Sequence, residues 1–160
     1  MLPDPLHPAV VHLPIALAIL IPLVAAFALA AARFGFVPAR GWAFVVLLQL
    51  LLVGSGWLAL ETGEDQEERV EKVVAERHIE DHAERAERLL IGAGLALLVI
   101  GAGLAPGRIG DLARPLGLVL SLGVAGLAAD VGHSGGTLVY QYGAADAYTK
   151  GTKDTPPAER

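Results

Sequence analysis

Apolar positions in this chain come in four long runs rather than in alternating stripes. The first, Pro5 to Ala32, holds no Lys, Arg, Asp or Glu; the others are Gly41 to Leu60, Leu89 to Ala105 and Pro115 to Ala129. A helix that is apolar all round has no face to turn toward water, so these runs belong in a bilayer rather than on a soluble core. The second run has the ~20 residues that a hydrocarbon core of about 30 Å requires. The third is a little short. The fourth is clearly short, and needs Asp130, Val131 and Gly132 to complete its last turn. The pattern predicts an all-α, integral membrane four-helix bundle, one domain over residues 1–148, with helices at about 8–32, 41–60, 64–105 and 115–131. Pro8 suits a first helical turn. Pro14 and Pro22 fall inside the first helix and are expected to loosen or kink it. No basic residue precedes the first run, so it lacks the n-region of a cleavable signal and reads as a retained helix.

The charged stretch between the second and third runs has its own periodicity. Thr62 and Gly63 are expected to end helix two, and Thr62 with Asp65 could form a capping box for a new helix from near Glu64. Val70, Val73, Val74, His78, His82, Ala86 and Leu89 then fall mostly three and four apart, with glutamates and arginines on the other face. Helix three is therefore expected to have an extended amphipathic start outside the membrane and to enter it near Ala86. Most of these charges read as solvated Glu/Arg pairs; the histidines on the apolar stripe are the exception. Near the end, GHSGGTLVYQYG reads as glycine-rich and then briefly strand-like, and residues 149–160 as a disordered tail.

Composition sharpens the class. Of 160 residues 54% are hydrophobic, and the mean hydropathy is +0.53. With no cysteine, disulfides, thiolate metal sites, iron–sulfur clusters and covalent c-type haem are excluded. The only methionine is Met1, which argues against a thioether copper relay. High Ala, Gly and Arg content with three Lys fits a GC-rich bacterial genome. Arg33 and Arg40 lie in the first connection, and Arg108 and Arg114 in the third, against the single acid Asp111. The segment Glu61 to Glu87 on the opposite side is acidic. Short basic loops stay cytoplasmic, so both termini are expected on the periplasmic side of a bacterial inner membrane. Trp42 and Phe44 at one level, and Trp57, Tyr140 and Tyr142 at the other, fit interfacial aromatic belts. Gly92, Gly101, Gly117, Gly123 and Gly126 permit close helix packing. The arginine loops are too few for nucleic-acid binding. No nucleophile elbow, P-loop, dinucleotide fingerprint or zincin motif occurs, so an electron carrier is favoured over a stand-alone enzyme.

Four crossings bring all five histidines to one level. His7 and His12 open helix one, His78 and His82 lead into helix three, and His133 follows helix four. His7 and His12 are five apart, about 140° around a helix, and should not share an ion unless that start is unwound. His78 and His82 stack on one face, a spacing suited to a shared metal. His12 lies deepest in the first run, beside Pro14, and an imidazole in hydrocarbon is costly without a partner. Asp130 falls under the same argument and could orient a ligand histidine. The glycines around His133, Gly132, Gly135 and Gly136, would let backbone approach a flat cofactor or a crossing helix, or make an ordinary turn. Imidazoles from several helices, with no cysteine, suit axial ligation of a b-type haem. A bare Zn, Cu or Fe site using His78, His82 and Asp130 (or Glu61) is the alternative. A third reading is a cofactor-free anchor of a larger respiratory or photosynthetic assembly.

HPAVVHLPIAL at 7–17 and GHSGGTLVYQYG at 132–143 resemble the two motifs of the DUF2231 family of four-helix bacterial membrane proteins. Leu13 stands where that family has Phe, and the resemblance spans nearly the whole chain. Family members resemble neighbours or fusion partners of Rieske and c-type cytochrome domains, which implies an electron-transfer role. The resemblance maps its motif histidines onto His7, His12 and His133, with a further one at the start of helix three onto His82 or His78. The acidic extension Glu64 to Asp81 departs from the family's compact loop. The combined expectation is a membrane b-type cytochrome-like protein. It holds haem near the periplasmic face with His12 and His82 as axial pair, and with His7 and His133 as a second pair or as supporting groups. Its expected partners are the lipid bilayer and a periplasmic electron carrier or membrane quinone. On the alternative reading as a cofactor-free anchor, the acidic helix, Glu64 to Asp81, could dock a basic partner.

Overall fold

The computed structural model describes residues 5–36 and 38–149. Its helices are α1 (His7–Val10), α2 (His12–Arg33), α3 (Ala43–Val70), α4 (Glu76–Ala102), α5 (Arg108–Tyr140) and α6 (Asp146–Thr149), with a 3-10 turn at Ala39–Trp42. No strand occurs among the described residues. The long helices form an antiparallel ring: α2 packs on α3 and α5, and α4 packs on the same two, which leaves α2 and α4 diagonal. The chain is an integral membrane helical bundle. α2 with α1, α3 and α5 each carry an apolar stretch long enough to span, while the apolar part of α4 is only Leu89–Ala102. That part rises about 21 Å, less than the hydrocarbon core, and Arg88 and Arg85 at its end are long enough to reach water past it.

The interior is built from small residues. Ala18, Ala25, Ala93, Ala96 and Ala128 are buried with Ile21, Val45, Leu52, Ile100 and Val124. Large side chains such as Leu23, Phe27, Leu98 and Leu112 point outward, the arrangement a lipid solvent permits because lipid tails are as apolar as leucine. Trp42 does not join an interfacial belt. It is buried and donates its indole N–H to the Ile100 carbonyl at 2.8 Å. Of the five glycines expected at helix contacts, Gly92 and Gly117 meet side chains of a facing helix, whereas Gly101, Gly123 and Gly126 face open space.

Several boundaries differ from the sequence expectation. The first helix is interrupted at Val11, because Pro14 has no N–H to give the Val10 carbonyl. The second helix does not stop at Thr62 and Gly63. The Thr62 hydroxyl bonds back to the carbonyls of Leu58 and Ala59 instead of capping a new helix, and the good helix formers that follow carry α3 to Val70. The break falls at residues 71–75, so the amphipathic start of the third long helix is Glu76 to Arg88 rather than beginning at Glu64. The strand-like reading of TLVYQY fails. α5 is helical from Arg108 to Tyr140 and is not a short span. The expected disordered tail lies outside the described residues except for Thr149, which ends α6.

Beyond the membrane part, the ends of α3, α4 and α5 form a second small core. Val74, Leu138 and Ala144 are buried there, with Val70, Val73 and Ile79 against them. The valine stripe is thus on the inward side as expected, but it straddles a turn.

Candidate functional site

The two imidazoles that meet at the histidine end are His7 and His82. His7 opens α1 seven residues before buried Pro14, hence on the inward stripe of the first span. His82 sits on the inward side of α4. Because α2 and α4 are diagonal, these rings approach across the bundle axis, with centroids 6.4 Å apart and planes at 86°. Cofactor sites in four-helix bundles are built in this way, from side chains on facing helices.

Each ring is held by its Nδ1. His7 Nδ1 lies 2.8 Å from the Ala59 carbonyl, which only accepts, so His7 Nδ1 carries the proton. His82 Nδ1 lies 2.7 Å from Ser134 Oγ. The Ser134 hydroxyl gives its own proton to the Val131 carbonyl at 2.9 Å, so His82 Nδ1–H is the donor to Ser134. In the neutral imidazoles both Nε2 atoms therefore keep a lone pair. Burial, with the His7 ring and Arg85 nearby, holds His82 below its ordinary value near 6.5 despite an opposing pull from Asp81. Its neutral form is thus favoured at neutral pH.

Two glycines seat the rings. A Cβ at Gly63 on α3 would lie 3.2 Å from His7 Cε1, and one at Gly135 on α5 would lie 3.1 Å from His82 Cε1. The flat group that the GHSGG glycines were expected to admit is, at Gly135, the imidazole of His82.

The other sequence candidates are placed elsewhere. His12 is exposed, on the outer surface of the first span; it sits about 200° around the helix from Pro14. The structure does not bring His12 to His82. His133 is exposed. The inward position is its neighbour Ser134, one residue and about 100° further round. His78 stacks on Tyr142, centroids 3.8 Å apart and planes at 15°, and accepts from Arg77 Nε at 3.3 Å. Asp130 orients no histidine; it pairs with Arg85 Nη1 at 2.6 Å, and Arg85 also bridges to Asp81. His78, His82 and Asp130 therefore do not assemble. Among the described residues no three His, Asp or Glu side chains are placed to hold a metal ion.

The whole-chain comparison agrees with the motifs at the two ends. A family model described as a predicted membrane protein, DUF2231, matches residues 3–147. The chain belongs to the DUF2231 family. No curated protein and no solved structure matches it. In this family member the motif histidines separate by role: His7 faces the bundle axis, while His12 and His133 face outward.

Of the groups around the two rings, sequence reasoning points to Gly135 but not to Ser134, Thr62 or Gly63. Ser134 and Gly135 sit inside the GHSGG motif, and a helical reading of that motif would have turned Ser134 inward. Thr62 and Gly63 resemble a helix end, which concealed them.

Proposed function

We propose that this protein is a membrane electron-transfer protein that holds a b-type haem between His7 and His82. One observation carries the reading: two imidazoles from opposite sides of the bundle meet with their Nδ1 atoms anchored, ring centroids 6.4 Å apart and planes at 86°. A bare zinc or copper ion wants three or four protein ligands. No third ligand joins this pair among the described residues, whereas a haem would need only two imidazoles from the protein, and His7 and His82 would supply them. The donor set thus fits haem better than a bare ion, with His7 in the place expected of His12.

When bound, the haem would supply a one-electron couple. The chain's own contribution is positioning. The Ala59 carbonyl and Ser134 hydroxyl set both tautomers and raise the basicity of the ligating nitrogens. Gly63 and Gly135 let the rings sink against backbone, and the alanine-rich core beneath excludes water. By the positive-inside rule, the arginine-bearing ends face the cytoplasm. The imidazole pair then lies near the periplasmic face of a bacterial inner membrane, within reach of a periplasmic carrier or a membrane quinol.

A reduced-minus-oxidised visible spectrum of membranes enriched in the full chain tests this. The expected result is a b-type band that disappears in His7→Ala and in His82→Ala and persists in His12→Ala and His133→Ala. No haem band at any stage of purification, or a band indifferent to His7→Ala and His82→Ala, would overturn the proposal. Bound transition metal without a haem spectrum would point to the bare-ion reading instead.

A further inference from the structure

The four arginines at the end of the bundle opposite the imidazole pair fall into two groups. Arg114 is used inside the fold: its Nε donates to the Gly103 carbonyl at 2.8 Å, and its Nη1 lies 3.2 Å from Asp111. Arg33 ends α2, Arg40 lies in the 3-10 turn before α3, and Arg108 opens α5. These three are exposed, and their side chains make no hydrogen bond or ion pair among the described residues. Asp111 is the only acid within 33–44 and 101–114, and Arg114 already holds it. A guanidinium presents five N–H donors in a fork that fits phosphate oxygens. This end therefore has donors in excess of the acceptors the chain supplies.

Two of the three free arginines belong to neighbouring helices. α2 packs directly on α5, so Arg33 and Arg108 stand at one end of a helix pair whose axes lie about 8–10 Å apart. Their long side chains can meet on one phosphate. The first turn of α5 adds N–H groups that no carbonyl of the helix receives. Exposed apolar side chains follow each arginine: Phe34 and Phe36 after Arg33, with ring centroids 6.3 Å apart, and Ile109 and Leu112 after Arg108. Cations bordered by exposed apolar groups, at the end of membrane helices, match both halves of a phospholipid, its phosphate and its acyl chains. A soluble phosphate would use the charges alone. The same inventory selects the headgroup. The ammonium of a zwitterionic lipid would need an acceptor, and the one carboxylate at this end is taken.

We propose that the Arg33–Arg108 end of the α2–α5 pair binds the phosphodiester of an anionic phospholipid of the phosphatidylglycerol class, in preference to a zwitterionic one. Arg40 strengthens the positive field around it. The inference goes beyond the electron-transfer reading and holds with or without haem.

The test is native mass spectrometry of the full chain in detergent. The chain is titrated with dioleoylphosphatidylglycerol and with dioleoylphosphatidylcholine, which has the same acyl chains and phosphate. The first is expected to bind at least tenfold more tightly and to saturate at one or two molecules per chain. Arg33→Gln and Arg108→Gln should each weaken it by about fivefold, the weight of one basic side chain against an anionic surface, and leave phosphatidylcholine unchanged. Lys72→Gln removes one exposed positive charge at the opposite end and should bind as the parent does. Equal affinity for the two lipids, or an equal loss in Lys72→Gln, would overturn the proposal. So would displacement of the lipid by soluble glycerol phosphate at matched concentration, which would make this a site for a free phosphate. Should a glutamine variant lose helicity, the parent's preference between the two lipids decides alone.

Discussion

At the residue scale, the position of an imidazole is decided by helical phase. His7 and His12 belong to one motif and lie five residues apart, and only His7 shares the inward stripe of Pro14, Leu17 and Ala18. Its greater depth in the apolar run favours His12 from sequence. Depth along a helix says nothing about the face it presents. The glycines under the rings give a sharp prediction. Alanine normally stabilises a helix over glycine by about 1 kcal/mol, but at Gly63 and Gly135 its methyl would press on His7 and His82 at 3.2 and 3.1 Å. At Gly132 it would meet nothing within 4 Å. Thermal unfolding in detergent should therefore rise for Gly132→Ala, by up to about 1 kcal/mol of stability. It should fail to rise for Gly63→Ala and Gly135→Ala; under the proposed haem reading these two variants should also show a weaker haem band. Equal behaviour of all three variants would refute the seating of the rings on glycine.

At the element scale, apolar runs located the helices well and their ends badly. The four runs correspond to the four long helices, because a bilayer requires an unbroken apolar length and writes it plainly in sequence. Helix ends beyond the membrane are set by local competition instead. Thr62 has the sequence of a cap but bonds back into its own helix, and the turn at 71–75 is held by packing of Val74 with Leu138 and Ala144, residues far away in the chain. That outer core should open separately from the membrane helices. Val74→Ala should remove about 2 kcal/mol locally. It is expected to speed amide hydrogen exchange across 70–79 and 138–144 while leaving 45–60 unchanged. Faster exchange spreading through α3 inside the membrane would show instead that the two cores are one cooperative unit.

At the scale of the whole molecule, four antiparallel helices put residues 34–36, 38–42 and 103–107 at one end of the bundle and residues 71–75 at the other. The chain has no cysteine of its own, so single-cysteine variants report sidedness directly. Glu71→Cys should react with a membrane-impermeant maleimide in intact spheroplasts, and Phe36→Cys only after permeabilisation. Labelling of both from one side would remove the crossing by α3. Sequence alone determined the membrane class, the number of long helices and the level at which five histidines gather, because these follow from apolar length and from the alternation of crossings. Which histidines meet was decided only by tertiary structure. Diagonal packing of α2 and α4 brings His7 to His82 and turns His12 and His133 outward. The tautomers of the pair depend on a carbonyl and a hydroxyl more than fifty positions away in the chain. A one-dimensional pattern records how deep a residue lies along a helix; the direction it faces, and the partner waiting there, exist only once the helices have packed.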